Sequence, residues 1–308
     1  MAHITDWMYE KRWGVFNHFL FDGTKEEERR WNEFVEGFDV ELVARNLHEI
    51  GAGYYFITTM QGRKFMIAPN QTFDRIAGTK AGEACATRDL VEDLYQALSR
   101  YGIDLYLYFT GDGPYKDEEI GRRFGYTEPR EHNMNIGFAE KWASVLEEYA
   151  VRYGDKVKGW WIDGCYDYFG YDDELLEPYY RAVKKGNPDA MLACNNAELI
   201  RPECWGEAGK PQMKKWFAKE DFITGELTDF VFVPDAAFVD GARAHFLIPL
   251  GTDEYNVGWR SHGVKRSPGH VKDYVRKVHE AGGVVTIDIY VDRYGHFDED
   301  QMAVLRGI

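Results

Sequence analysis

The chain has 308 residues, enough to bury one large core, with 44% hydrophobic residues and a net charge of −15. So acidic a chain, with no run of Lys or Arg, does not suit a nucleic-acid partner, which needs a basic stripe to meet phosphates. No apolar window approaches the ~20 residues that span a bilayer, so no membrane partner is expected. The start at Met1-Ala2-His3 shows no basic-then-apolar leader, which implies a cytoplasmic protein or one trimmed of its leader.

Taken in order, Lys11 to Phe19 reads as a first strand running into His18, and the charged stretch Thr24 to Asn32 as a partly helical connection. Val40 to Ile50 places apolar residues at 40, 43, 47 and 50, a helical stripe stopped by Gly51. A second strand follows at Tyr54 to Thr59. Thr87-Arg88-Asp89 opens a helix through Tyr101, and Ile103 to Phe109 is a third strand. A helix over 138–153 precedes a fourth strand, Val157 to Ile162, ending at Asp163. A helix near 173–186 leads to a fifth strand, Met191 to Cys194, ending at Asn195-Asn196.

Residues 200–245 are irregular, with helical character at Lys214 to Lys219 and extended character at Phe230 to Val233. His245 to Pro249 is a further strand, with Asp253 and Glu254 beyond it. A helix at 268–281, a last strand at Gly283 to Ile289 and a closing helix in Asp298 to Gly307 complete the chain. Strand and helix alternate with no break in composition, so a single α/β domain over 1–308 is expected, a (β/α)8-type, TIM-like barrel. No G-x-G-x-x-G follows the first strand, and polar residues recur at strand C-terminal ends (His18, Asp163, Asn195, Asp253), where barrel enzymes keep their chemistry.

Aromatic residues make up 16% of the chain, and many fall beside Gly, Asp or Asn at strand ends, where they can stack on a sugar ring. Trp160-Trp161-Ile162-Asp163-Gly164-Cys165-Tyr166 is the clearest case: an apolar run ends in one carboxylate walled by rings. The same Asp could simply cap a strand-to-helix turn. Cys85, Cys165, Cys194 and Cys204 have no C-x-x-C spacing and read as free thiols. No H-E-x-x-H, H-x-H or G-x-S-x-G occurs; a metal held by His18, Asp163 and Asp288 is conceivable at a barrel mouth. Carboxylates at strand ends suit a two-carboxylate glycosidase mechanism, with Asp163 as nucleophile. Spacing leaves Glu226, Glu254, Asp253 and Asp235 open as its partner.

Laid out in this order, the strand ends resemble the α-L-fucosidase family of retaining glycoside hydrolases, family 29. Trp13-Gly14-Val15-Phe16-Asn17-His18 is similar to its "FGxFIHWG", and Gly51 to Thr59 to its "AGAKYxVLT" segment. Arg88-Asp89-Leu90-Val91 and Tyr108-Phe109-Thr110 resemble "RDLV" and "GLYYS". Trp161-Ile162-Asp163-Gly164 resembles the nucleophile-bearing "WFDG", and Gly282 to Ile289 resembles "GGNLLLNIGP". Asp221 to Glu226 resembles a "DFxTxE" segment, which implies Glu226 as acid/base with Glu254 second.

The resemblance implies a retaining exo-glycoside hydrolase acting on an oligosaccharide or glycoside, with no cofactor or metal. His18, Gln61, Tyr108, Trp161, Asn195 and Trp259 are then the expected sugar contacts. Three departures stand out. The family's paired His after the second strand are Gln61-Gly62, its Arg after the fifth-strand Asn is Ala197, and its C-terminal β-sandwich has no counterpart in these residues. A buried polar pocket stripped of such partners binds a sugar poorly, so the sugar need not be plain terminal fucose. A barrel that binds carbohydrate without cleaving it, and a metal-assisted sugar isomerase or hydrolase, are the other readings.

Overall fold

The computed structural model describes residues 3–21, 23–127, 134–206 and 209–308. Seven parallel strands form one curled sheet: β1 (Trp13–Asn17), β2 (Tyr54–Thr58), β3 (Asp104–Thr110), β4 (Val157–Asp163), β5 (Met191–Cys194), β6 (His245–Pro249) and β7 (Val284–Asp288). Their order across the sheet is β5-β4-β3-β2-β1-β7-β6. Each strand starts where sequence periodicity places it, to within a residue or two.

Most of the longer helices between and after them start on side-chain caps. Asp39, Asp89, Asn135, Asp172, Ser267 and Asp298 each accept a backbone N–H at a helix N-terminus, satisfying donors that have no partner within the helix. Among the described residues no helix is long and apolar enough to cross a membrane.

Every residue of β1, β2, β6 and β7 is buried, as expected of parallel strands covered on both faces. The two-residue period sorts the side chains. Phe16, Tyr54, Phe56, Tyr106, Tyr108 and Trp161 pack inside the curl, joined by Met8 of the short helix Asp6–Glu10. Val15, Tyr55, Leu105, Leu107, Trp160 and Ile162 face the surrounding helices.

Two expectations are corrected. Among the described residues the sheet has seven strands rather than eight, and regular pairing does not close it. The gap between β5 and β6 holds the irregular segment 220–227. Its bonds are scattered: Asp221 N donates to Leu192 O, Ile223 N to Arg243 O and Leu227 N to Leu247 O, while Leu247 N donates to Gly225 O. Gly225, at φ +61°, breaks the extended course, and a Cβ there would stand 1.6 Å from His245 O. The close approach demands glycine, and glycine's left-handed turn costs the regular ladder. Neither Lys214 to Lys219 nor Phe230 to Val233 forms a helix or strand. Six residues are too few to hold a helix without packing support, and here Trp216 N–H bonds Glu220 Oε1 instead.

Candidate active site

The C-terminal ends of β1, β2, β3 and β4 and the 220–227 segment converge on a cavity of about 320 Å³ lined by His18, Gln61, Tyr108, Trp161, Asp163 and Glu226, with Trp259 and Arg260 at one side. Asp163 is the last residue of β4. Gly164 follows at φ +72°, with the buried Asp112 carboxyl where a Cβ would be, so the chain turns away immediately behind the carboxylate. Donors surround that carboxylate. Tyr108 Oη donates to Oδ2 at 2.6 Å, Gln61 Nε2 to Oδ2 at 3.4 Å and Asn195 Nδ2 to Oδ1 at 2.9 Å; Tyr166 Oη lies 3.5 Å from Oδ1. Burial first, and the charge of Asp163 second, push both phenols well above their ordinary pKa, so both stay protonated as donors.

Asn195 also donates to Glu226 Oε2, at 2.7 Å. One amide nitrogen thus touches both carboxyls, and the two bond lengths keep the accepted oxygens within about 5.6 Å of each other. The amide is oriented from its other end, where Oδ1 accepts Ala197 N–H at 2.9 Å and Thr224 Oγ1–H at 3.1 Å. Ala197 adopts φ +56°, which turns its N–H back toward Asn195. Burial, then the neighbouring charge of Asp163, pushes Glu226 up to about 7 from an ordinary 4.5, with Asn195 opposing.

Behind Glu226, His245 anchors the irregular segment. Its Nδ1 lies 3.1 Å from the carbonyls of Ile223 and Thr224, and its Nε2 lies 2.7 Å from Thr286 Oγ1. Carbonyls only accept, so Nδ1 carries the hydrogen. Burial lowers this ring to about 4, keeping it neutral.

His18 stands on the β1 side of the cavity, its ring 6.2 Å from that of Tyr108. Its Nδ1 donates to the buried Asp288 Oδ1 at 2.8 Å, and Asp288 Oδ2 accepts Arg260 N–H at 3.0 Å. Nε2 remains for a ligand. Trp259 packs edge-on to His18 at 5.8 Å, and Tyr108 stacks on Trp161 at 5.6 Å.

All six expected sugar contacts therefore lie at or against this cavity. Asn195 stands behind it, bonded to the carboxyls rather than exposed for a ligand. Glu254 and Asp253 are exposed on the 251–257 loop and Asp235 is exposed elsewhere; none lines the cavity. The imagined metal trio does not converge, since His18 and Asp288 bond each other while Asp163 is held by Tyr108 and Asn195. No group of three His, Cys, Asp or Glu is placed to hold a metal among the described residues. All four cysteines are free thiols.

Sequence reasoning missed Tyr166, Tyr115, Lys116 and Arg260 as lining residues. Only Tyr166, three residues after Asp163, carried a local signal. Tyr115 also explains a departure. A Cβ on Gly62 would stand 2.8 Å from its ring, so Tyr115 fills the space a side chain at 62 would need.

No protein-family model matches the sequence, and no curated protein matches it. Solved structures do. An α-L-fucosidase of family 29 from Bacteroides thetaiotaomicron is 18% identical with a TM-score of 0.64, over 99% of this chain and 72% of that one. The chain shares the fold of family 29 α-L-fucosidases. An endo-fucoidan hydrolase of glycoside hydrolase family 107 superposes with a TM-score of 0.72 at 16% identity; 98% of this chain spans about half, 52%, of that protein. An α-L-fucosidase from Paenibacillus thiaminolyticus gives 0.64 at 17% identity, over 98% of this chain and 73% of its own.

Proposed function

We propose that these 308 residues form one catalytic domain of a retaining glycoside hydrolase of α-L-fucosidase type. The observation that carries this reading is the single Asn195 amide nitrogen bonded to both carboxyls, which keeps their accepted oxygens within about 5.6 Å, a bound that admits the ~5–5.5 Å of a double displacement.

In the first step an Asp163 carboxylate oxygen bonds the anomeric carbon as the bond to the leaving oxygen breaks, and that oxygen takes the Glu226 proton. The elevated proton affinity of Glu226 keeps the acid loaded near neutral pH. In the second step water attacks the anomeric carbon, its proton goes to Glu226, and Asp163 is released. Tyr108 and Asn195 steady the nucleophile, while His18, Trp161, Gln61 and Trp259 hold the sugar. The solved neighbours named for fucosides and fucoidan support a fucose-type glycone, and Gln61, Gly62 and Ala197 make its pocket differ from the family pattern. No cofactor is required.

The test is trapping with a 2-deoxy-2-fluoro fucosyl glycoside followed by peptide mapping. The label is expected on Asp163, and a label on any other residue sinks the assignment. The altered pocket favours one competitor, a barrel that binds sugar without cleaving it. Binding with no turnover across a panel of aryl glycosides would establish that reading instead.

A further inference from the structure

A second cavity, of about 310 Å³, adjoins the first and shares two of its walls, His18 and Arg260. It contains neither carboxyl of the catalytic pair. Its floor is aromatic, from Phe19, Phe21, Trp31 and Phe34, and its rim carries Tyr290, Asp292 and the exposed Arg293, whose guanidinium lies 4.3 Å over the Phe34 ring. The four rings are buried, at 2–9% exposure, so they wall the cavity while its polar rim offers the contacts that sugar hydroxyls need.

Topology decides which end of the sugar this cavity serves. Asp163 and Glu226 stand at β4 and at the 220–227 segment beyond β5, whereas His18 follows β1, three strands from β4 across the curl. A ring whose anomeric carbon faces Asp163 turns its far edge to His18. Space beyond His18 therefore receives whatever is attached to that far edge. The partition is rigid, because one buried carboxylate, Asp288, binds both the His18 ring and the Arg260 backbone.

We infer that the cavity beyond His18 binds a second pyranose ring attached to the non-anomeric side of the glycone, so that the chain is cut internally rather than at its terminal sugar. This deepens the glycosidase reading and rests on it, and it replaces the exo action implied by resemblance. The second cavity matches the first in volume, so it has room for one further ring.

The test uses the Asp163→Asn protein and calorimetry with 4-nitrophenyl α-L-fucopyranoside and with the 4-nitrophenyl glycosides of (1→3)- and (1→4)-linked fucosyl disaccharides. At least one disaccharide is expected to bind about tenfold more tightly than the monosaccharide, an advantage of about 1.4 kcal/mol. Filling the cavity with Leu20→Trp, a half-exposed residue that lines only the second cavity, should erase that advantage while leaving monosaccharide affinity within about twofold. Arg293→Ala on the rim should reduce it. Equal affinities, no binding of any of the three, or an advantage that survives Leu20→Trp would overturn the inference.

Turnover by the unaltered protein separates the two readings. Release of nitrophenol with the disaccharide intact supports both. A binding advantage without bond cleavage ends the hydrolase reading and leaves the cavity. Cleavage with equal affinities does the reverse.

Discussion

Asp163 ends β4, a seven-residue strand paired along both edges, whereas Glu226 stands on 220–227, which touches its neighbours through isolated bonds. The first carboxyl is placed by a ladder that pairs six of the strand's seven residues with β3, Asp163 among them, and four with β5. The second is placed by a close contact at Gly225, by the His245 ring beneath and by one shared amide. A regular strand tolerates change at any one pair because its other pairs hold the register, but a segment held by a few contacts loses its geometry when one is removed. The pocket thus joins a robust half to a fragile half, and Asn195 is the hinge between them.

The sharpest effect on the robust side is chemical. Asp163→Asn should lower kcat roughly a thousandfold or more with little change in melting temperature, because the strand remains and only the nucleophile is lost. Next comes the fragile side. Gly225→Ala introduces a Cβ where His245 O already sits, so 220–227 must shift and carry Glu226 with it. Loss of about 100-fold in kcat/KM together with a lower melting temperature is expected, and wild-type kinetics in that variant would break the comparison.

The hinge gives a smaller, pH-resolved effect. kcat/KM should fall as pH rises through about 7, where Glu226 gives up its proton. Asn195→Ala removes a donor that favours the ionised form of Glu226. The alkaline limb should therefore move to higher pH while kcat drops about tenfold. An unmoved limb would show that Asn195 does not govern the acid.

The smallest effect concerns stability alone. Glu198 is buried just behind the site, has an unpartnered Oε1, and is pushed by burial up to about 7 from 4.5. The folded state keeps this proton where the unfolded chain releases it. Stability is therefore fully present below about 4.5 and declines as pH rises toward 7, by up to about 3 kcal/mol. Denaturant titrations at pH 5 and 8 should show the decline, and Glu198→Gln should reduce it by Glu198's share, leaving the part due to Glu226 and the buried Glu220, whose carboxyls burial also pushes up.

Much of this arrangement was legible before folding. Apolar runs of four to seven residues bounded by glycine or polar residues located most of the strands, and the polar residue at each strand's end followed from that. Asp163 and His18 are in this class, because a strand's length and the direction of its last side chain are local properties. Glu226 was singled out from Glu254, Asp253 and Asp235 only through a resemblance, since 220–227 has neither helical nor strand periodicity. Glu254 was indistinguishable from it in sequence, and only position in space separates a carboxyl in the cavity from one exposed on a loop.

The sequence by itself determined a parallel α/β sheet with aromatic strand ends and a carboxylate at the end of the fourth strand, because these rest on periodicity, caps and composition. The tertiary structure alone decided that the sheet stops at seven strands, that Asn195 binds the carboxyls, and that space continues past His18. Each of those depends on distances between residues 30 to 270 positions apart, which no local pattern encodes.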